Sequence, residues 1–460
     1  MADRFVSTVA RGLLGLFYRR VEVAGLERVP ARGPLLLVAN HHNALIDPML
    51  LLATIPRRLV SVAKAPLFRH PLIGPFLRLA GAIPVHRRQD LATDAAGADP
   101  ARNAEMFSRA IGALRDGDAI LIFPEGVSQP EPVVMPLRTG AARIVLGAEG
   151  AADGRLGVTV LPVGLVYHEP GTFRTGWALV LVGDPVPTAD LVASASEEGV
   201  RQLTDRIAAA LRRLVVEARD RETLHLLHVA EAIWREEVGE RTREVAVRAD
   251  WTQRALRAHA YLATQAPERV DDLRRDLERY AKDLELAGLT GRQLARSYPA
   301  GVVVRYALRE GLSLLLGLPL ALWGIVNHAI PYQLTSLAVR TLRPEADTEA
   351  TYKISTAVML YPLCWAAEGW LAWQLGQAAR LGGAWLLVVF VASLGPTGFF
   401  ALTWQERLSR VRREARGFMR FLTDRDLHHR LLGQRQALVE ELTALARSIP
   451  DSVLSEEPPR

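Results

Sequence analysis

The sequence predicts an α/β domain, then a helical region, then a hydrophobic region that associates with a membrane. Short apolar runs alternate with helical patterns from Pro30 to about Pro187, which is typical of an α/β sheet protein. Sequence rich in Ala, Leu, Arg and Glu continues to about residue 298, and two long uncharged stretches follow it. We therefore expect five regions: an amphipathic N-terminal helix at 1–29, the α/β domain at 30–190, a helical region at 191–300, membrane-associated or transmembrane helices at 301–405, and a helical tail with a disordered end at 406–460.

Composition narrows the class of protein. The 460 residues are 49% apolar and 23% charged, which excludes disordered and collagen-like chains. Lysine and arginine outnumber aspartate and glutamate by 56 to 50, and the resulting charge of +6 favours an anionic partner: a membrane surface, a phosphate ester or a nucleic acid. The one cysteine, Cys364, excludes an intramolecular disulfide and a Cys-based metal site. These values fit a globular protein of a reducing compartment.

Six apolar runs account for the predicted sheet. Each is bounded by turn residues and has the length of a buried strand. They lie at 35–39, 59–63, 81–85, 119–123, 158–167 and 177–183. Before them, residues 5–20 carry a helix-spaced apolar face beside arginines, which leaves two interpretations open: an interfacial helix, or a helix packed on the following domain.

Two stretches of the C-terminal region are long enough to cross a bilayer core. Gly311–Val339 and Leu381–Gln405 contain no charged residue, and both exceed the roughly 20 residues that a spanning helix needs. A third apolar stretch, Ile354–Ala367, spans only if its helix continues past Glu368. The alternative is that these segments are core helices of a soluble domain.

Basic residues predict the orientation of the membrane region. They follow the first uncharged stretch at Arg340, Arg343 and Lys353, and the last one as five arginines at 407–416. The positive-inside rule then places both flanks in the cytoplasm, which requires an even number of crossings. In one solution the first stretch, interrupted by Gly317, Pro319 and Pro331, forms a re-entrant or interfacial hairpin, and the other two segments span as a pair.

Imidazole and carboxylate groups meet where the first predicted strand ends. The run at 35–39 continues as Asn40-His41-His42-Asn43-Ala44-Leu45-Ile46-Asp47-Pro48, which puts both groups at a strand-to-helix junction. A neutral histidine whose second ring nitrogen is hydrogen-bonded to a carboxylate is held in one tautomer and made more basic. Such a pair is suited to remove a proton from an alcohol. The set His41, His42, Asp47, His70 and His86 matches no metal-ligand spacing, so we expect no metal.

Two further strand ends carry charged residues. Residues 81–85 run into His86-Arg87-Arg88, and arginine at a strand end is a good fork for phosphate. Phe123-Pro124-Glu125-Gly126 puts a carboxylate in a tight turn after the strand at 119–123. Farther along the chain, Arg138 and Arg143 are most simply solvated helix charges.

In this order and spacing, the segments resemble the glycerolipid acyltransferases, the family of the lysophosphatidic acid and glycerol-3-phosphate acyltransferases. The resemblance covers roughly residues 30–190 and rests on four blocks: the Asn-His motif ending in Asp47-Pro48, Gly81–Arg87, Phe123–Gly126 and Leu161–Gly164. The run from Phe123 to Arg143 is most similar to a branch that includes fungal-type glycerol-3-phosphate acyltransferases and related bacterial proteins. The implied fold is an α/β acyltransferase domain, a mixed sheet flanked by helices.

The spacing of the motif departs from the common family pattern. That pattern has four residues between its histidine and aspartate, whereas five separate His41 from Asp47, and His42 restores the spacing of four. The branch named above has the pattern His-x-Asn-x-x-x-Asp-Pro, which reads here as His41, Asn43, Asp47 and Pro48. The resemblance therefore favours His41 over His42 as the base.

The resemblance also implies the catalytic roles. His41, or else His42, accepts the proton of the acceptor hydroxyl while Asp47 orients it, and the oxygen attacks an acyl thioester without a covalent acyl-enzyme.

Substrate contacts follow from the same resemblance. Arg87 binds the phosphate of the acceptor, with Arg88 as a weaker candidate, and Glu125 and Gly126 position the glycerol portion. Asn43 is a further substrate-binding candidate.

The implied reaction defines the partners and the location. A fatty acyl group moves from acyl-CoA or acyl carrier protein, which are co-substrates, to a hydroxyl of glycerol 3-phosphate or 1-acylglycerol 3-phosphate in phospholipid biosynthesis. We expect no cofactor and no nucleic acid, and membrane lipids at the cytoplasmic face of the inner or plasma membrane are the anionic partner. Two alternatives stay open: another lysolipid as acceptor, and a non-catalytic membrane lipid-binding scaffold.

Overall fold

A computed structural model describes residues 2–70, 73–85, 100–129, 133–168, 173–174, 176–192, 196–215, 226–227, 229–234, 245–289, 291–294, 300–345, 348–380 and 383–454. Residues 455–460, in the end predicted to be disordered, lie outside this part of the chain. The chain divides into two units. The first comprises Met1–Arg221, Glu244–Gln253 and Pro344–Tyr352, and the second comprises Glu222–Arg243, Arg254–Arg343 and Lys353–Arg460.

The first unit is built on a seven-stranded mixed sheet. Its strands are β1 (Arg20–Ala24), β2 (Leu35–Ala39), β3 (Leu59–Lys64), β4 (Ile83–Val85), β5 (Ala119–Ile122), β6 (Thr159–His168) and β7 (Trp177–Val182). Their order across the sheet is β1-β7-β6-β2-β5-β3-β4. From β6 to β4 each strand is parallel to its neighbour, while β7, which carries β1 at the edge, pairs antiparallel with β6. The predicted α/β fold with a mixed sheet is confirmed.

Helices of the first unit connect and cover the strands. They are α1 (Ala2–Phe17), α2 (Ile46–Thr54), α3 (Ile73–Leu79), α4 (Pro100–Arg115), α5 (Gly140–Gly150), α6 (Ala189–Val192) and α7 (Glu197–Leu214). Leu36 of β2 joins Leu114 of α4, Ile144 of α5 and Leu203 of α7 in one buried apolar cluster. Burial of such side chains, at roughly 25 cal/mol per Å² of apolar surface, is the main force that holds this unit together.

The central strand β2 determines which residues meet. All of its residues are fully buried, as its unbroken apolar sequence predicts for a strand covered on both faces. Both neighbours run parallel to it, since Leu37 is paired with Leu121 of β5 on one side and with Leu161 of β6 on the other. Because the carboxyl ends of parallel strands meet at one edge, the residues that follow β2, β5 and β6 come together there.

The sequence predicted β2 to β7 and missed β1. The six apolar runs agree with the observed strands to within two residues at each end. The sequence of β1, Arg-Val-Glu-Val-Ala, alternates polar and apolar residues over only five positions, and among the described strands it pairs only with β7, at the sheet edge. So short an alternating edge strand gives a weaker sequence signal than a continuous apolar run.

Helix α1 packs on the domain that follows it. Val6, Ala10 and Leu14 form its buried stripe, and the helix contacts α2. Phe5, in contrast, is 60% exposed. Of the two interpretations of residues 5–20, the structure shows the packed helix.

The second unit is helical. Its helices are α8 (Val245–Gln265) and α12 (Glu349–Ala378), which both begin in the first unit, with α9 (Pro267–Ala287), α10 (Gly291–Leu294), α11 (Ala300–Leu342), α13 (Gly383–Thr423), α14 (Arg425–Ser448) and α15 (Asp451–Leu454). Leu277 and Tyr280 of α9 share a buried apolar cluster with Leu431 and Leu438 of α14.

Among the described residues of this unit, two helices have the length and composition of membrane spans. These are Gly301–Leu342, within α11, and Gly383–Arg420, within α13. Their surfaces carry large apolar side chains, of which Leu316 is 73% exposed, Leu308 69% and Trp385 66%. An exposed apolar surface of this extent is typical of contact with lipid or with another apolar partner.

Helix α11 passes without a break through Pro319 and Pro331, both of which the sequence marked as interruptions. Pro331 has no N–H to donate to the carbonyl four residues earlier, that of Asn327. Trp365 of α12 supplies a donor instead, since its Nε1 lies 3.3 Å from Asn327 O. The solution in which Gly311–Val339 forms a re-entrant or interfacial hairpin is therefore wrong, because the segment lies in one continuous helix.

α11 and α13 form an antiparallel pair. Arg407 Nε of α13 donates to Glu310 Oε2 of α11 at 2.5 Å, and Trp323 Nε1 of α11 donates to Ser393 Oγ of α13 at 3.0 Å. Residue numbers rise along α11 as they fall along α13, so the helices run in opposite directions. At Gly324 they approach so closely that a Cβ would collide with the α13 backbone, which is how small residues bring spanning helices together.

Substitution of Trp365 will test its role at Pro331. Trp365→Phe removes the donor to Asn327 O, and an unsatisfied buried carbonyl costs about 1–3 kcal/mol, so the thermal midpoint of the detergent-solubilised protein will fall. Pro331→Ala restores a backbone N–H for that carbonyl, and in this background Trp365→Phe will cost measurably less. Equal losses in the two backgrounds would show that the tryptophan stabilises the helices only by packing.

Candidate active site

Asp47 organises the carboxyl edge of the sheet. Its carboxylate is fully buried and accepts four hydrogen bonds from described residues. Oδ2 accepts from His41 Nδ1, from the backbone N–H of His42 and from the backbone N–H of Asn43, each at 2.8 Å. Oδ1 accepts from the hydroxyl of Tyr167 at 2.5 Å. Three donors converge on Oδ2 and one reaches Oδ1, so hydrogen bonds compensate the buried charge.

A tight turn brings Asp47 back towards residues 41–43. Asn43 O accepts hydrogen bonds from the N–H groups of Ile46 at 2.8 Å and Asp47 at 3.1 Å, so the chain reverses between β2 and α2. Residues 41–43 thereby surround the carboxylate. His41, with five residues between it and Asp47, contacts the carboxylate through its ring. His42, with four residues between, contacts it only through its backbone N–H. The geometry pairs His41 with Asp47.

The ring of His42 makes a different contact. Its Nδ1 lies 3.1 Å from Gln129 O, in the loop that follows β5. The N–H of Gln129 in turn donates to His41 O at 3.1 Å. The loop therefore holds the two histidine residues by separate contacts and keeps the His42 ring off the carboxylate.

The hydrogen bonds assign the tautomer of His41. A carboxylate only accepts, so Nδ1 carries the proton and Nε2 carries the lone pair. Nε2 makes no hydrogen bond with a described residue, and 11% of the side chain's surface is accessible. Phe123 stacks on the imidazole with ring centroids 4.2 Å apart and an interplanar angle of 19°, which restricts rotation of the ring. The imidazole of His41 is therefore held in one orientation, with Nδ1 engaged and the side chain partly accessible.

Glu125 holds the backbone of His41. Its Oε1 accepts from the His41 N–H at 2.8 Å and its Oε2 from the Met135 N–H at 3.2 Å, and the residue is buried. The sequence predicted that Glu125 positions the glycerol portion of a substrate. The observed contacts tie it to the backbone of His41, and its predicted contact with the glycerol portion stays a prediction.

Gly126 ends the turn that carries Glu125. Its φ of +74° lies in the left-handed region that glycine adopts without strain. A Cβ here would lie 2.6 Å from Arg138 Nε, so the close approach that only glycine permits is made by a side chain of the same chain. The predicted contact of Gly126 with the glycerol portion stays a prediction.

Asn43 also points into the protein. The residue is buried, and its Nδ2 donates to the hydroxyl of Tyr18 at 3.1 Å. Since Tyr18 follows α1 directly, this bond joins the motif to the N-terminal helix. The predicted contact of Asn43 with substrate likewise stays a prediction, because the amide has a partner inside the protein.

Two tyrosines at this site went unrecognised in the sequence. Burial raises the pKa of Tyr167, and the charge of Asp47 raises it further; the same two causes raise the pKa of Tyr18. Both hydroxyls therefore stay protonated at neutral pH, and Tyr167 acts as a donor to Asp47. The available signal for Tyr167 was its place at the end of the run 158–167, whereas Tyr18 carried none.

Asn40 extends the sheet beyond the end of β2. Its Nδ2 donates to Leu165 O at 2.9 Å, and its Oδ1 accepts from the Leu165 N–H at 2.6 Å. The fully buried amide thus continues the β2–β6 ladder by one more pair of hydrogen bonds. It fixes the motif relative to the strand that carries Tyr167.

The predicted phosphate ligands Arg87 and Arg88 lie outside the described residues, as does His86. The described chain stops at Val85, which is paired in the sheet with Lys64 at the end of β3. Lys64, which the sequence analysis did not single out, is therefore a cation at the same edge. Within the described part of the chain, no group of three His, Cys, Asp or Glu side chains is arranged to hold a metal ion.

The segment that contains this site matches a known protein family. A family model described as acyltransferase matches residues 20–166, from β1 into β6. His41, Asp47 and Glu125 all lie within the match.

Individual relatives cover different shares of the chain. An uncharacterized acyltransferase of Schizosaccharomyces pombe is 25% identical over 307 residues, 48% of this chain and 45% of that protein. Glycerol-3-phosphate O-acyltransferase 2 of Saccharomyces cerevisiae is 30% identical over 136 residues, 29% of this chain and 18% of that protein. A 1-acyl-sn-glycerol-3-phosphate acyltransferase of Bacillus subtilis is 26% identical over 199 residues, 42% of this chain and 87% of that protein. The matches span less than half the length of the two fungal relatives.

Proposed function

We propose that the protein transfers a fatty acyl group from acyl-CoA or acyl-acyl carrier protein to a hydroxyl of glycerol 3-phosphate or 1-acylglycerol 3-phosphate in phospholipid biosynthesis. The match of an acyltransferase family model to residues 20–166 supports this proposal. The observation that carries the proposal is the oriented histidine, with His41 Nδ1 2.8 Å from Asp47 Oδ2 and Nε2 accessible. The relatives include enzymes named for each of the two acceptors, so both enter the test.

In the proposed mechanism His41 is the general base. Nε2 accepts the proton of the acceptor hydroxyl as that oxygen attacks the thioester carbonyl carbon and the new C–O bond forms. Asp47 stabilises the resulting imidazolium by its charge. The C–S bond then breaks, and the leaving thiolate takes the proton from His41, which restores the base. General-base assistance of this kind contributes about 10²- to 10⁴-fold in rate.

Binding the phosphate group of the acceptor requires positively charged side chains at the carboxyl edge of the sheet. We assign this contact to Arg87, with Arg88 as a weaker candidate, because both stand within three residues of the end of β4 in the sequence. Lys64, in register with Val85, is a described cation beside the place where that segment begins. The acyl donor is a co-substrate, and the proposed mechanism uses neither a metal nor a bound cofactor.

The acyl chains require a membrane, and α11 and α13 offer an anchor. Both are apolar on their exposed surfaces, and an antiparallel pair crosses a bilayer and returns. In such a pair the basic flanks at the C-terminal ends of α11 and α13 lie on opposite sides of the bilayer, so they do not both reach the cytoplasm as the sequence predicted; we place the larger cluster, the five arginines at 407–416, on the cytoplasmic side. We propose that the protein works at the cytoplasmic face of the inner or plasma membrane.

Thiol release will identify the reaction and the base. We expect detergent-solubilised protein to release CoA from long-chain acyl-CoA when glycerol 3-phosphate or lysophosphatidate is supplied in separate reactions. His41→Ala will lower the rate at least a hundredfold, because general-base assistance is lost. His42→Ala, which leaves the His41–Asp47 hydrogen bond in place, will keep the rate within about tenfold of the parent.

The opposite order of the two histidine variants would assign the base to His42. Absence of turnover with both acceptors, repeated with acyl carrier protein as donor, would exclude the two named reactions. A panel of other lysolipids then separates a different acceptor from a non-catalytic scaffold, since only the former gives thiol release.

Tyr167→Phe will slow the chemical step. The change removes a buried hydrogen bond to a charged group, worth about 1.5–3 kcal/mol, so Asp47 orients His41 less firmly. We expect kcat to fall about tenfold or more while KM for both substrates stays within about twofold. A rise in KM with kcat unchanged would show that Tyr167 shapes a substrate pocket.

Alkaline carbonate washing will test the membrane anchor. Full-length protein will stay in the membrane pellet, because the apolar surfaces of α11 and α13 are held by the bilayer core and not by charge. Leu316→Arg and Leu308→Arg place charges on the exposed surface of α11, and together they will move part of the protein into the supernatant. Complete extraction of the parent by carbonate would contradict the anchor.

A further inference from the structure

Two arginines, five residues apart, differ in their partners. Arg143 in the first turn of α5 forms a two-pronged ion pair, with Nη2 2.9 and 2.7 Å from the two carboxylate oxygens of Glu197. Arg138, just before α5, forms no ion pair with a described carboxylate, and its side chain is exposed. The sequence suggested solvated helix charges for both, but only Arg143 is neutralised by a neighbour.

Arg138 has a defined place beside the active site. Its backbone N–H donates to Pro124 O at 2.8 Å, which fastens the segment before α5 to the turn after β5. Its side chain lies across Gly126, where a Cβ would meet Nε at 2.6 Å and Cζ at 3.3 Å. The guanidinium therefore rests on the turn itself, in a space that exists because residue 126 has no side chain.

That turn is the one that positions the base. Phe123, at its start, stacks on the His41 ring, and Glu125 accepts from the His41 N–H. The Arg138 guanidinium on Gly126 thus lies against the turn that holds His41. Since the guanidinium has no carboxylate partner among the described residues, its hydrogen-bond donors are available to an anion at this turn.

We propose that Arg138 binds a phosphate ester of a substrate. The inference rests on the proposed acyltransferase function, whose acceptor carries a phosphate monoester. A guanidinium offers paired N–H donors that match phosphate oxygens, and its charge strengthens each hydrogen bond. The second phosphate source is the acyl donor, because CoA carries phosphates of its own.

Steady-state kinetics of the full-length protein will test the assignment. Arg138→Gln removes the charge while keeping most of the aliphatic stem, and Arg138→Lys keeps the charge without the fork. We expect Arg138→Gln to raise KM for glycerol 3-phosphate or lysophosphatidate tenfold to a hundredfold, with kcat within about threefold of the parent. Arg138→Lys will recover part of the loss. Arg143→Gln is the matched control. It will leave kcat and KM within about twofold of the parent, because the Arg143 guanidinium is ion-paired with Glu197.

Varying the donor separates the two phosphate sources. At saturating acceptor, KM for acyl-CoA will be unchanged in Arg138→Gln. If it rises instead, and the rise disappears with an acyl-pantetheine donor that lacks the nucleotide, the arginine binds the phosphates of CoA and the acceptor assignment is overturned. Equal effects of Arg138→Gln and Arg143→Gln on KM would assign both changes to general surface charge and would also overturn it.

A binding measurement keeps this test independent of turnover. Glycerol 3-phosphate will raise the thermal midpoint of the parent and of Arg143→Gln, and will raise that of Arg138→Gln by less than half as much. If the parent is stabilised but shows no acyl transfer, the proposed function fails while the phosphate contact stands. If the parent and Arg138→Gln are stabilised equally, or neither is stabilised, the phosphate contact is rejected.

Discussion

A carboxylate buried away from water must find its compensation within the protein, and at Asp47 this requirement shapes the whole carboxyl edge of the sheet. The donors come from the loop after β2 and from the end of β6. They converge because β2 and β6 are parallel neighbours and because Asn40 extends their pairing past the strand end. If β2 and β6 were not neighbours in the sheet, these donors would lie apart and the charge of Asp47 would have no compensation.

The network reaches beyond the carboxylate in two directions. Asn43 connects it to Tyr18, directly after α1, and Glu125 connects the backbone of His41 to the turn after β5. Residues from separated parts of the sequence are thereby fixed relative to one accessible nitrogen, His41 Nε2. Preorganisation of this kind lowers the reorganisation needed when charge develops during a reaction.

The sequence predicted the parts of this arrangement that are local along the chain. Continuous apolar runs revealed the buried strands, and His41 and Asp47 stand six positions apart in a single motif. The role of Glu125 depends on which strand lies beside β2, and Tyr167 is 120 residues from Asp47, so neither contact leaves a local pattern. The continuity of α11 through Pro331 could not be predicted from local sequence either. The donor that satisfies Asn327 O belongs to Trp365, which is 38 residues away.

The hydrogen bond that ties His41 Nδ1 to the buried carboxylate of Asp47 constrains the order of events in the proposed reaction. Because Nδ1 is engaged by Asp47, a proton taken up by His41 Nε2 leaves from that same nitrogen. The group that gives the proton and the group that later receives it must therefore both lie against one face of a single imidazole. In the proposed direct attack, which forms no covalent acyl-enzyme, acceptor and donor must be bound together, so the mechanism predicts a ternary complex and sequential kinetics.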